Sequence, residues 1–492
     1  MNLPNSPPPG ARSVHLVLIV LCTAIAAGMG WGIRGQYGHE TGAMIAGSLT
    51  SLVLVLFFIP QATSLTAARA AAMMTVAIGI GGTMTYGQTI GLTQDETLVG
   101  NWEALRWGLF GLFIKGGLWI GFAGAFLGMG LSGRTYRPTE ILMLMLGLTL
   151  FVFFGIWLLN SPFDPANRVL PKIYFSGSWY WQPDKVDLKP RPEVWGGLLV
   201  AFVSLLGYAR LIRGDRLALR LGWISFIAGG VGFAGGQCIQ AFRAWNSDLF
   251  VSGWLSSYPV FNYVNWWNMM EIGFGLVFGA GLALGLWSSK SLIKIETQDE
   301  IVTLSPTAEI FLLLLHSSLL MTAEFLDLPG IGGIVSQYAN YGLIMCVIPM
   351  VGIVGGRIWP YALLLPVVAA PICGKQMRAL CYNSEPMFGW ENGWVLFVMV
   401  PLGITITTAT WLISQSTRAM RAQTVAAIAL GINTVLYFGL NTLFFQFGWP
   451  WNAWTSRTPS QIIFIFFGLS LLSLALVTIL RTTSHTKNKV GY

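Results

Sequence analysis

At four points in this chain a glycine–glutamine step is followed by a cluster of polar and aromatic residues. Gly35–Gln36 leads to His39 and Glu40, and Gly87–Gln88 leads to Asn101, Trp102 and Glu103. Gly236–Gln237 leads to Trp266, Trp267, Asn268 and Glu271, and Gly374–Lys375–Gln376 leads to Trp390, Glu391 and Asn392. Glycine releases backbone groups from the helical ladder, and a glutamine amide both donates and accepts. At the end of a membrane helix such a step can present backbone and amide to a solute. It can also be a helix end capped at the interface. Non-helical backbone at depth is tolerated only beside protein or water. Polar groups there are costly and rarely idle, so four copies on one side point to a functional surface.

The first copy is the densest. Between Gly28 and Gly42 six glycines surround Arg34, His39 and Glu40. The arginine fork suits a carboxylate or phosphate. His39, Glu40 and Glu271 are natural proton carriers. An ion pair between Arg34 and a glutamate, holding the loop shut, is the structural alternative. The expected substrate-binding set is Arg34, Gln36, Gln88, Trp102, Glu103, Lys115, Gln237, Gln240, Trp267, Asn268, Lys375, Trp390 and Glu391, with His39, Glu40 and Glu271 coupling protons.

Several charged groups need partners or exits. Lys115 falls about 12 Å inside its span, at the limit of snorkelling, and Glu271 is one carboxylate it could meet. Three-residue spacing aligns Gln237, Gln240 and Arg243, Glu324 with Asp327, and Lys375 with Arg378. Each set is either a binding edge or a helix terminus entering water. His316 sits mid-span, as a hydrogen-bonded core histidine or a proton relay.

The elements that must carry these residues are membrane helices. Of 492 residues 54% are apolar and 10% charged, and mean hydropathy is +0.64; soluble domains carry about a quarter charged residues. Apolar runs predict an all-α polytopic bundle of about fourteen spans, roughly 14–31, 41–60, 70–91, 107–130, 141–159, 194–209, 221–242, 269–287, 307–325, 338–354, 358–373, 393–414, 424–443 and 461–480. Residues 1–13 and 481–492 are then cytoplasmic tails around a single bundle of 14–480, with an outer loop 160–193 and a cytoplasmic loop 288–306. The first span is read as retained, since no small-residue cleavage site follows it. Every segment assigned to the cytoplasm holds a basic residue, among them Arg12, Arg69, Arg134, Arg210, Lys290, Arg357, Arg421 and Arg481. The positive-inside rule therefore places both termini in the cytoplasm, in a plasma or bacterial inner membrane.

The segments Gly81–Leu131 and Gly229–Leu286 both open with Gly-Gly and pass a Gly-Gln, and Gly124, Gly130 and Leu131 match Gly279, Gly285 and Leu286 at a constant offset, as in an internal repeat, although 58 Gly and 21 Trp also make chance matches common. Gly124 and Gly128 suit close helix contact within or between chains. Tryptophans crowd the outer side, Trp449 and Trp451 among them. They could form an interfacial belt or a stacking surface for a sugar.

The net charge of +8 is dispersed, so nucleic acid is not a partner; the partners are the bilayer and a small-molecule solute. The five cysteines show no metal spacing, Cys373 and Cys381 are near enough in sequence to bridge, and no cofactor motif is present. With no Walker A sequence an ATP-driven pump is disfavoured. The reading is a secondary active transporter, proton-coupled, for a small polar or amphiphilic solute such as a sugar or sugar acid. Two alternatives stand beside it. One is an enzyme of the outer leaflet using Glu40, Glu103, Glu271, Glu385 or Glu391 for glycosyl or acyl transfer. The other is a flippase for a lipid-linked precursor.

Overall fold

The computed structural model describes residues 9–294, 301–326, 332–382, 386–416, 420–447 and 453–490. Asp327, Glu385, Trp449 and Trp451 lie outside the described residues. Those residues form helices and no named strand. The spanning helices are α1 (Ser13–Arg34), α3 (Ser64–Thr83), α5 (Trp102–Leu131), α6 (Pro138–Leu159), α7 (Trp195–Ile212), α8 (Arg216–Trp245), α9 (Trp266–Ser288), α10 (Pro306–Phe325), α13 (Trp359–Leu380), α14 (Trp390–Ser416), α15 (Ala422–Phe444) and α16 (Thr458–Thr482). Between them lie α2 (Ala43–Phe58), α4 (Gly87–Gln94), α11 (Gly333–Asn340) and α12 (Gly342–Gly355). The chain is a polytopic helical membrane protein.

Each of the fourteen expected segments falls on a helix, but they are not fourteen equal spans. Twelve helices are long and apolar enough to cross, and α11 with α12, bent by 75°, makes a thirteenth if taken as one span. The remaining segment is α2. Its 16 residues reach about 24 Å, short of a hydrocarbon layer of about 30 Å. It tolerates this because Ala43 to Leu56 are all buried in protein. A helix apolar all round belongs in a core, and α2 with the alanine-rich α3 forms the centre. By contrast α6, α10 and α16 face mostly outward.

Local chemistry sets the helix starts. Asn101, Asp215, Asn265 and Ser305 each accept a hydrogen bond from the backbone N–H three residues on, capping α5, α8, α9 and α10. Glycines then bring the helices together. A Cβ on Gly116 of α5 would stand 2.5 Å from the Gly229 carbonyl oxygen of α8. Gly128 of α5 meets the backbone of Ala218 at the same distance. Gly124 also faces α8, at Ser225, so the Gly124–Gly128 spacing serves contact within the chain.

Two of the four glycine–glutamine steps are not helix ends. Gly236–Gln237 lies inside an unbroken α8, and Gly374–Lys375–Gln376 inside α13. Gly87–Gln88 opens the short α4, after a break at residues 84–86 that divides the expected span 70–91. A Cβ on Gly236 would meet the Met270 carbonyl oxygen at 2.6 Å, and one on Gly374 the Phe325 ring at 2.6 Å. These glycines admit a neighbouring helix; they do not interrupt their own. The two segments proposed as a repeat accordingly differ at their glycine–glutamine steps. Cys373 and Cys381 both lie at the end of α13 and are unbridged.

Filling the α5–α8 seam is the direct test of this packing. Gly116→Val should lower stability by about 1–3 kcal/mol through overpacking. Gly147→Ala in α6, where a Cβ meets nothing within 4 Å, should instead gain about 0.5–1 kcal/mol. Thermal unfolding midpoints in detergent distinguish the two.

Candidate functional site

The glycine–glutamine step that closes a spanning helix is at the end of α1. Arg34 closes the helix, residues 35–42 turn back, and α2 starts at Ala43. Gly38 takes φ +83°, a left-handed conformation that explains a glycine there. The turn itself is partly open to solvent: Gly35 and His39 are exposed, whereas Arg34 is 1% exposed.

Arg34 is held from several helices at once. One terminal nitrogen lies 3.2 Å from His39 Nδ1. The other donates to Tyr86 Oη at 3.1 Å and pairs with Glu271 Oε1 of α9 at 3.5 Å. Glu271 also accepts from Asn268 Nδ2 at 3.1 Å, and that amide donates to the Gly32 carbonyl at 2.7 Å. The guanidinium lies over Trp31 at 4.5 Å and Trp119 at 5.2 Å. Those indoles meet edge to face. Tyr86 continues the aromatic wall to Trp267, with centroids 6.4 Å apart. A Cβ on Gly35 would stand 2.8 Å from both Glu271 oxygens, so only glycine lets the carboxylate in.

The pairing is incomplete. Arg34 Nε, Trp31 Nε1 and Trp119 Nε1 are buried without a hydrogen-bond partner. Three orphaned N–H donors on three mutually packed side chains are unusual, because an unmade buried hydrogen bond costs about 1–3 kcal/mol. Their hydrogen-bonding capacity is left unmet by the protein.

The other side of the same turn is fixed by α13. Lys375 Nζ donates to the Tyr37 carbonyl at 2.8 Å and to Thr41 Oγ1 at 2.7 Å, and pairs with Glu324 at 3.1 Å. Arg378 also binds Glu324. Tyr37 Oη donates to Gln376 Oε1 at 2.9 Å. The spaced residues Glu324, Lys375 and Arg378 thus form one network between α10 and α13. Glu40 is buried in the turn and contributes, with Glu271, to the field at Arg34. Gln36 is half-buried there.

The remaining expected residues sit elsewhere. Lys115 does not meet Glu271. Its three donors reach Glu193 Oε1, the Thr85 carbonyl and Thr89 Oγ1, each at 2.7 Å. Glu193 closes the loop 160–193 and also accepts from Ser176 and the Phe175 N–H. In that loop, burial beside Glu193 pushes the Tyr174 phenol up. Gln88 tethers the loop through the Lys189 carbonyl and the Arg191 N–H. Gln237 Nε2 donates to Thr93 Oγ1 at 2.8 Å, leaving its own oxygen unpartnered; Gln240 is half-buried, its oxygen likewise unpartnered. Arg243 stacks over Phe250. Trp102 and Trp390 are each 61% exposed, and Glu103 and Glu391 are exposed, all in the first turns of α5 and α14. Trp102 packs edge to face on Trp245, and none of the four contacts Arg34. His316 accepts or donates at 2.6 Å to Tyr338 Oη, the hydrogen-bonded core arrangement.

Sequence reading missed Tyr86, Trp31, Trp119 and Glu193, and also Arg457, which is coupled electrostatically to Glu271. Trp31 carried a signal, lying one helical turn before Arg34. Tyr86 and Trp119 reach Arg34 only through tertiary packing, from the break after α3 and from α5, and Glu193 belongs to the separate Lys115 cluster.

No protein-family model and no curated protein sequence matches the chain. Among solved structures, crystal structures of the Eremococcus coleocola manganese transporter align with it. The form in complex with an aromatic bis-isothiourea substituted compound is 14% identical, over 96% of this chain and 88% of that chain, at TM-score 0.15. Two mutant forms are 13% identical over the same shares at TM-score 0.16. A TM-score this low does not establish a common fold. Among the described residues no three His, Cys, Asp or Glu side chains group as a metal site.

Removing one partner of a buried ion pair strands the other, at a cost of about 3–5 kcal/mol. Glu271→Ala should therefore destabilise by that amount and Glu271→Gln by less, since the amide oxygen still accepts from Arg34. Glu103→Gln, exposed, should stay within about 0.5 kcal/mol of the parent. Chemical or thermal unfolding in detergent reads all three, and an Ala variant as stable as the parent would remove the pair from its structural role.

Proposed function

We propose that this protein is a secondary active transporter, coupled to protons, for a small polar solute bearing an anionic group, of which a sugar acid is an example. The observation that carries the reading is Arg34: a buried guanidinium beside a helix break, paired at long range to Glu271, with unpartnered donors around it. An incoming carboxylate would take the place of Glu271 on the arginine fork. Protonation of Glu271 removes the competing charge, so proton and anion would bind together. His39, exposed in the turn and within reach of Arg34, offers a route for that proton. The half-buried ring of Trp267, beside Tyr86, would pack against a sugar. The proposed setting is a plasma or bacterial inner membrane with both termini cytoplasmic, by the distribution of basic residues.

An outer-leaflet enzyme receives less support. Of the carboxylates it would use, Glu103 and Glu391 are exposed at helix starts and Glu385 lies outside the described residues. Glu40 and Glu271 remain, with Arg34 feeling both.

Uptake of labelled glucuronate into proteoliposomes is the test. An inward proton gradient should drive it, a protonophore should collapse it, and Arg34→Ala should reduce it at least about tenfold. Uptake indifferent to both the gradient and Arg34 would refute the reading, and substrate turnover in detergent without a gradient would favour the enzyme. For orientation, a fluorescent protein fused after Tyr492 should fluoresce and alkaline phosphatase at the same point should stay inactive.

A further inference from the structure

The end of the bundle away from Arg34 holds a cavity of about 600 Å³. It lies about 20 Å from the first site along α3, counting from Gly82 to Arg69. Its walls come from the start of α3, the turn joining α5 to α6, and the segment 301–304 that precedes α10. Three arginines line it, Arg69, Arg134 and Arg137, above an apolar floor that includes Met73, Met129 and Leu304. The turn is braced from behind. Asp215 accepts from Ser132 Oγ at 2.7 Å and Tyr136 Oη at 2.8 Å, and the Lys294 N–H donates to the Leu131 carbonyl at 3.1 Å. Arg69 ties two walls together through the Ile301 and Gly356 carbonyls at 3.0 and 2.9 Å. Arg134 and Arg137 form no ion pair among the described residues, while neighbouring Glu140 and Asp215 are engaged by Arg213, Tyr208 and the bonds just named.

Arg134 and Arg137, unpaired with any carboxylate among the described residues, stand beside Arg69 and an apolar floor at the ends of membrane helices, an arrangement complementary to a phosphate group carried on an apolar body. We propose that this cavity binds a phosphate-bearing anion. Arg134 and Arg137 contact the phosphate, Arg69 supplies field and holds the walls, and the methionines and Leu304 take the hydrocarbon next to it. The site is separate from Arg34, and its occupancy does not depend on what the protein transports.

Two sources can supply this chemistry, a phospholipid headgroup or a soluble phosphate. Native mass spectrometry of the full-length protein separates them by titration with dioleoylphosphatidylglycerol, dioleoylphosphatidylcholine and inorganic pyrophosphate. The parent is compared with Arg134→Gln/Arg137→Gln and with Arg216→Gln/Arg220→Gln, which removes the same charge from exposed positions outside the cavity. A lipid site predicts phosphatidylglycerol bound about tenfold more tightly than phosphatidylcholine, with the preference lost in the cavity variant and kept in the control. Pyrophosphate bound with the same dependence on Arg134 and Arg137, and no lipid preference, supports the site and assigns it to a soluble anion. Equal affinities in the parent and the cavity variant for every probe, or an equal loss in the control, overturn the proposal. Both variants change exposed side chains, and an unchanged unfolding midpoint verifies that they fold.

Discussion

A guanidinium cut off from bulk water must be solvated by the protein, and that requirement organises the centre of this molecule. Arg34 takes a carboxylate from α9, a phenol from the break before α4, an imidazole from its own turn and two indole faces. The approach of α9 requires that the adjoining positions of α1 and its turn carry no side chains. A Cβ on Gly32 would stand 2.7 Å from Ile272, and one on Gly35 2.8 Å from the Glu271 carboxylate. The glycines of α1 are therefore the steric condition for an electrostatic centre.

The turn after Arg34 joins two groups of helices. Through Arg34 it is tied to α9, and through Lys375 and Gln376 it is tied to α13. An anion that competed for Arg34 would loosen the first attachment and leave the second in place. That is the kind of element, bonded on both sides and biased from one, that a binding event can move.

Two buried cations, Arg34 and Lys115, show how structural and available charge differ. Lys115 spends three donors on three acceptors at one distance, one of them a carboxylate that is itself saturated. Nothing is left to offer a solute, and the residue fastens the loop 160–193 to α5. Arg34 has a long ion pair, an idle Nε and two idle indole N–H groups beside it. Depth in the membrane alone would rank the two equally; hydrogen-bond satisfaction separates them.

The sequence alone determined the all-helical bundle and where its helices lie, because a lipid solvent demands long apolar runs with internally paired backbones. It also singled out Arg34, His39 and Glu271, since charge inside such runs has to be explained. What a glycine does was decided by tertiary structure. Gly35 ends a helix, while Gly236 and Gly374 sit inside continuous ones, and the difference lies in what stands opposite each missing Cβ. The partner of Lys115 was equally hidden, since Glu193 lies far along the chain and reaches it only through a folded loop. Trp102, Glu103, Trp390 and Glu391 matched the pattern in sequence yet are exposed and make no contact with Arg34, because a helix start is placed by how its whole helix packs and not by the residues that open it.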